Sequence, residues 1–315
     1  MKKDLKPIDM SSVKTYPLKD RINKVSVKDF ATPPDTRVDL SQYINSLPKI
    51  LRGTDFSELI DKIVTAYQRE KAIIVMMGGH VIKCGLSPLL IELAERGVIT
   101  GFAFNGASSI HDFEIALIGE TSEDVSAYLQ TGKFGMWEET GKLMNEAIQN
   151  AADTGFGMGE ALGKKLVEMD APYNKYSLLA AGIRLNIPIT VHVAIGTDII
   201  HQHPSANGAA IGETSFTDFR LLTQLVTELE GSGVVLNLGS AVILPEVFLK
   251  ALTIARNLGH TVTHFTAADF DMIQQYRPAE NVVKRPTEMG GKGYSFTGHH
   301  ELMIPLLVHS ILSRL

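Results

Sequence analysis

The chain has one cysteine, Cys84, among its 315 residues. No internal disulfide can form, and this scarcity fits a reducing, cytoplasmic compartment. With no activating base evident beside it, Cys84 reads as a structural thiol. Long hydrophobic runs are also missing. The apolar stretch at 72–77 (AIIVMM) is far shorter than the roughly 20 residues needed to cross a bilayer, so no membrane partner is expected. No apolar segment follows Lys2 and Lys3, which argues against a signal peptide. There is no block of basic residues. With 30 Lys and Arg against 35 Asp and Glu, the formal charge is -5 and gives no electrostatic footprint for nucleic acid. At 21% charged and 44% hydrophobic residues, nothing forces disorder and a sizeable core can form.

Residues 1–50 are polar, rich in lysine and punctuated by Pro7, Pro17, Pro33, Pro34 and Pro48. They read as an extended arm, and 51–315 as a single α/β domain. Asp55 with Glu58 suits a helix cap, with helical spacing over 56–69. The run 72–77 suits a buried strand that stops at Gly78-Gly79. Ser87 then caps a helix with Pro88 at its first position, and Gly97 ends it. A second strand over 98–104 completes a β-α-β unit, which makes a parallel, right-handed pair. After a helical middle the pattern resumes. It predicts strands at 187–193, 234–238, 261–266 and 294–297. Between them it predicts helices at 216–230, capped by Ser215 and Asp218, and from Pro245 to Asn257, with a closing helix at 302–315. The segment 269–293 reads as a loop. This alternation predicts a Rossmann-like, doubly wound, mostly parallel sheet with helices on both faces.

Ligands of such sheets bind beyond the carboxyl ends of the strands. Small and polar residues gather at those predicted ends: Gly78-Gly79-His80, Asn105-Gly106, Gly196-Thr197-Asp198, Gly239-Ser240 and Ala267-Ala268-Asp269. There the backbone can approach a ligand closely, and helix N-termini can hold phosphate. The run Gly155-Phe156-Gly157-Met158-Gly159 with Gly163 resembles a dinucleotide fingerprint, but a helical stretch precedes it where a strand is required. It reads instead as a flexible segment shaping a cleft or a subunit contact. His111, His201 and His299 are placed in loops and are candidate acids or bases. His201 and His203, with Asp198 and His192, could also ligate a metal, and His299-His300 could complete the site, although no supporting ligand motif accompanies them. Asp112 and Glu114 read as charges favoured by a helix N-terminus. Trp137 fits core packing better than a pocket wall.

From residue 73 onward, the order of these pieces resembles deoxyhypusine synthase and its relatives. The resemblance rests on Met77-Gly78-Gly79 through Gly85, Asn105-Gly106-Ala107-Ser108-Ser109-Ile110-His111-Asp112, and Gly196-Thr197-Asp198-Ile199-Ile200-His201. Gly239-Ser240-Ala241-Val242 and the closing Glu301-Leu302-Met303-Ile304-Pro305-Leu306-Leu307 complete it. The 105–114 run is also similar to one in archaeal NAD-dependent ornithine cyclodeaminases. The resemblance implies an NAD-binding subunit of a homo-oligomer, a tetramer in the family, acting on a small amine. It implies cofactor contacts at Gly78, Gly79, Asn105, Gly106, Asp198, Gly239 and Ser240. Lys292 is the nearest counterpart of the family's imine-forming lysine, with Lys284 second, and Asp269, Asp271 and Glu288 are candidates to recognise a cation. One departure stands out. Ile243-Leu244-Pro245-Glu246 replaces the family's basic Lys-His-His run. Three functions stay open: an enzyme that transiently oxidises an amine with NAD and then transfers the imine or releases ammonia, an inactive nucleotide-binding or structural homologue, and a metal-assisted hydrolase using His201 and His203.

Overall fold

The structure, a computed structural model, describes residues 40–315. Most of the expected arm therefore lies outside the described residues, and its last part carries a short helix, α1 (Leu40–Ser46). Beyond it, six strands form one sheet: β1 (Ile73–Met77), β2 (Gly101–Asn105), β3 (Ile189–His192), β4 (Val234–Leu238), β5 (Thr266–Asp271) and β6 (Lys292–Thr297). Every pairing is parallel, in the order β3-β2-β1-β4-β5-β6.

Strand β1 shows why this sheet is buried on both sides. Ile73, Val75 and Met77 belong to one core cluster, and Ile74 and Met76 to the other. An all-apolar run is required when helices cover both faces. On the first face lie α2 (Leu51–Gln68), α4 (Ser87–Glu95), α5 (Gly106–Ile118) and α12 (His300–Leu312), contributing residues such as Leu59, Ile91, Phe113 and Leu307. On the second lie α10 (Gly208–Thr227) and α11 (Ile243–Asn257), through Leu222, Val226, Phe248 and Leu252. The remaining helices are α3 (Gly79–Lys83), α6 (Val125–Leu129), α7 (Glu138–Thr154), α8 (Met158–Glu168) and α9 (Leu178–Leu185). No helix among the described residues is long and apolar enough to cross a membrane.

Several expected elements move. The strand expected at 261–266 is instead β5, because Val262 and His264 have φ of 38° and 57°, which no strand accepts. Ala267, Ala268 and Asp269 are thus strand interior, not a strand-end loop. Ser215 and Asp218 lie inside α10. Asn207 caps that helix, its Oδ1 accepting from the N–H groups of Ala209 and Ala210. Leu86, not Ser87, is the N-cap of α4, with Pro88 in the first turn as expected. The segment 269–293 is not a loop throughout: residues 276–287 are wound into short helical turns.

The glycine run after α7 also differs from its expectation. Gly155 (φ 79°) ends α7 and Gly157 opens α8. A Cβ on Gly157 would lie 1.8 Å from Asp218 Oδ1, and one on Gly159 would lie 1.9 Å from the Ile189 carbonyl oxygen. These glycines are packed contacts of α8 against β3 and α10, not a flexible cleft.

Candidate functional site

The strand order reverses between β1 and β4, so the first halves of their crossovers diverge and leave a crevice at their carboxyl ends. The residues at this edge touch across it. The Gly78 N–H donates to the Leu238 carbonyl (3.0 Å), and a Cβ on Gly78 would sit 2.4 Å from the Gly239 oxygen. Gly239 has φ of 70°, and its N–H donates to the Phe270 carbonyl. Ser240 Oγ accepts from the Leu244 N–H at the start of α11 (3.2 Å). On the other side of β1, Gly79 lies against Ala107 and His111. Asn105 caps α5 through Ser108 N–H (2.9 Å), and Ser108 Oγ donates to the Met77 carbonyl (3.0 Å). Gly106 packs onto the Asp198 carboxylate so closely that a Cβ would lie 1.9 Å from Oδ2. Each expected cofactor position therefore stands at one edge of the sheet and contacts another member of the set or its immediate neighbour.

The space around these turns is not evenly open. The buried ring of His300 fills the side of Gly239, where a Cβ would lie 2.4 Å from its Cε1. Its Nε2 bonds the Phe270 carbonyl (3.0 Å), and its Nδ1 has no partner among the described residues. Open volume lies instead toward β2 and β3. A cavity of about 780 Å³ begins at Ala107, His111 and Asp198 and extends to Tyr128, Phe134 and Trp137. Among the described residues its lining includes Glu114, Glu120, Glu123, Asp124, Glu139 and Asp198 against a single lysine, Lys83. Trp137 is a wall of this cavity and not core filler. Its Nε1 donates to Glu123 (2.8 Å), and its ring meets Tyr128 edge to face at 4.9 Å.

His111 is the best-organised group in the cavity. Thr121 Oγ1 donates its one proton to Glu114 Oε2 (2.5 Å), and His111 Nδ1 lies 2.7 Å from the same Oγ1. The hydroxyl can then only accept from the ring. Nδ1 carries the hydrogen, and Nε2 is left as a free acceptor. Burial, then the nearby charge of Lys83, push the His111 pKa down to about 4, so the ring is neutral at pH 7. Burial raises the Glu114 pKa, partly offset by hydrogen bonds from Thr121 and Thr140.

Asp198 and His201 form a second, incomplete pair. His201 Nδ1 accepts from the Gly196 N–H (3.1 Å), so Nε2 holds the hydrogen. That Nε2 lies 3.9 Å from Asp198 Oδ2, and neither atom has a hydrogen-bond partner among the described residues. Burial raises the Asp198 pKa to about 6.

Other candidates fall elsewhere. Lys292 is the first residue of β6 and pairs in register with Thr266 at the opposite end of β5 from Asp271. At ~3.3 Å per residue it lies roughly 16 Å from the carboxyl edge. Its ammonium pairs with Glu58. Lys292 is therefore not part of this site, and Lys284, paired with Glu280, lies outside it too. His299 is the exposed N-cap of α12, and the next residue, His300, is the one turned into the crevice. His203 bonds the Gly135 carbonyl (2.7 Å) and packs on Gly141, so it forms no metal site with His201. Asp269 is buried against Asn237, and Glu288 does not line the cavity. Asp112 is no surface helix charge. It is buried and accepts from Ser177 Oγ (2.5 Å), Leu178 N–H and Leu179 N–H, which ties α5 to the start of α9.

No protein-family model and no curated protein matches the chain. Solved structures do. A LOR/SDH candidate protein from Methanococcus maripaludis S2 is 16% identical, with a TM-score of 0.50 over 90% of this chain and 74% of its own. The ternary complex of AgrE with ornithine and NAD+ is 13% identical, with a TM-score of 0.51 over 83% of this chain, which spans only 33% of AgrE. A deoxyhypusine synthase candidate from Entamoeba histolytica is 12% identical, with a TM-score of 0.50 over 90% of this chain and 96% of its own. At such identities the likeness is one of fold, and the chain has the deoxyhypusine synthase-like α/β fold.

Proposed function

We propose that the protein is an NAD-dependent enzyme that oxidises a small amine and then transfers the imine carbon or releases ammonia. The acid-lined cavity beside the strand-end turns carries this reading. Six carboxylates against one lysine favour a cation, and the aromatic walls suit its alkyl chain. The residues present also fit a nucleotide. Ala107, in the first turn of α5, lines the cavity, and the N-terminus of that helix favours a phosphate. Asp198 lines the same cavity, and a rotamer change would turn its buried, unpartnered Oδ2 out to accept from a sugar hydroxyl. Gly78, Gly239 and Ser240 pack against one another outside the cavity. AgrE, of similar fold, has been captured with ornithine and NAD+.

When bound, NAD+ supplies the hydride acceptor. The chain does the rest. Glu114, Glu120 and Glu139 hold the substrate cation. Neutral His111 takes a proton from the ammonium at Nε2. The freed nitrogen lone pair then forms a C=N bond as hydride leaves the adjacent carbon. Tyr128, Phe134 and Trp137 limit the entry of water. Lys83 is the cavity's one lysine and takes over the carrier role once expected of Lys292.

The test is to mix the protein and NAD+ with ornithine, arginine, putrescine and spermidine in turn. Reduced-nicotinamide fluorescence is followed in the first turnover and products by mass spectrometry. One amine should give transient fluorescence and a new product. Unchanged amines with no transient signal would contradict the proposal. A second reading, a nucleotide-binding homologue without turnover, draws on the position of Lys292 at the far edge of the sheet. It predicts NAD binding with no chemistry on any amine.

A further inference from the structure

Outside the acid cavity, His80 and Cys84 stand four residues apart, and the turn formed by α3 and its cap brings them to one side. Glu301, in the first turn of α12, meets them there from 217 positions further along the chain: Cys84 Sγ lies 3.8 Å from its Oε2. One donor atom of each of the three lies within 4.8 Å of the other two. Tetrahedral zinc, with bonds of about 2.0–2.3 Å, sets its ligand atoms roughly 3.3–3.8 Å apart. Small rotamer changes close that difference, and His80 and Glu301 are exposed enough to make them. A second imidazole stands beside the cluster. The ring of His300 is 5.6 Å from that of His80, and His300 is 2% exposed with its Nδ1 unpartnered.

We propose that His80, Cys84 and Glu301 bind a zinc-class divalent ion, with a fourth coordination position open at the rim of the β1–β4 crevice. The ligand set selects the metal class. Imidazole and thiolate suit zinc and its neighbours, whereas calcium and magnesium take oxygen ligands. Cys84 binds as the thiolate, and its proton passes to solvent. None of the three residues lines the acid cavity, so the site stands whether or not the NAD reading holds.

The test uses the full chain, stripped with a chelator, then dialysed against zinc chloride and analysed for bound metal. Cobalt(II) is titrated in parallel. One zinc ion per chain should be retained, and cobalt should give a thiolate charge-transfer band that Cys84→Ser abolishes. His80→Ala and Glu301→Gln should weaken zinc binding at least as much as the roughly 10–100-fold that loss of an outer-shell partner costs. His260→Ala, remote from the cluster, should bind as the parent does. Circular dichroism confirms that each variant is folded. A folded parent that retains no zinc, or retains it equally after Cys84→Ser and His80→Ala, overturns the proposal.

Discussion

Thr121 decides what His111 can do. A threonine hydroxyl has one proton, and giving it to Glu114 fixes the hydrogen of His111 on Nδ1. Thr121→Val should therefore lower kcat by releasing the tautomer, and His111→Gln should lower it more, by about 10²–10⁴-fold, the usual worth of a general base. Because the neutral ring is needed and its pKa is about 4, the kcat/KM limb due to His111 should stay flat down to about pH 5 and fall below about pH 4. Asp218 offers a test of stability instead. It is buried in α10 and accepts from the Gly159 N–H (2.9 Å) and the Val191 N–H (2.7 Å). Burial nevertheless raises its pKa to about 7. A carboxyl raised in the folded state contributes stability that is full below about pH 4 and is lost as pH climbs through about 7. The unfolding free energy of the parent minus that of Asp218→Asn should thus shrink between pH 4 and 7, as measured by urea titration. A difference that grows with pH would contradict the assignment.

At the scale of elements, α8 shows how glycine sets a packing distance. Gly159→Ala would drive a methyl into the Ile189 carbonyl and should cost about 1–3 kcal/mol or more. Gly155→Ala meets nothing within 4 Å and should cost only the roughly 1–2 kcal/mol of a left-handed alanine. Calorimetry should rank the two melting temperatures in that order. The elements differ in how legible they were for similar local reasons. β1 is an unbroken apolar run and β4 is broken only by Asn237, and both were readable to within a residue. β5 was displaced because its Thr-Ala-Ala-Asp start looks like a loop while Val262 and His264 before it look like a strand. Helix α10 began earlier than expected because Gly208 and Gly212 after Asn207 look like a loop, while Ser215 and Asp218 offered later caps; both serve tertiary contacts instead. Between His299 and His300, one residue of register decides which ring enters the crevice, and sequence alone does not set that register.

For the whole molecule, the decisive fact is the strand order. Glycines at strand ends could be found in the sequence, but their meeting depends on β1 lying between β2 and β4. The same order removes Lys292, whose glycine neighbours made it look like a loop residue near a ligand. Lys292→Met should leave NAD affinity and turnover unchanged. The acid cavity was not legible either. Its carboxylates come from 114–139 and from Asp198, and only the fold turns them toward one another. The account rests on a nucleotide held in the cavity beside the α5 N-terminus, with Asp198 in its wall. Isothermal titration of NAD+ into the parent and into Asp198→Asn tests it most directly. The account predicts one site per chain in the parent, weakened about tenfold or more by the substitution, as expected when a charged acceptor is lost. No heat of binding with either NAD+ or NADH, or the same affinity in Asp198→Asn as in the parent, would contradict it.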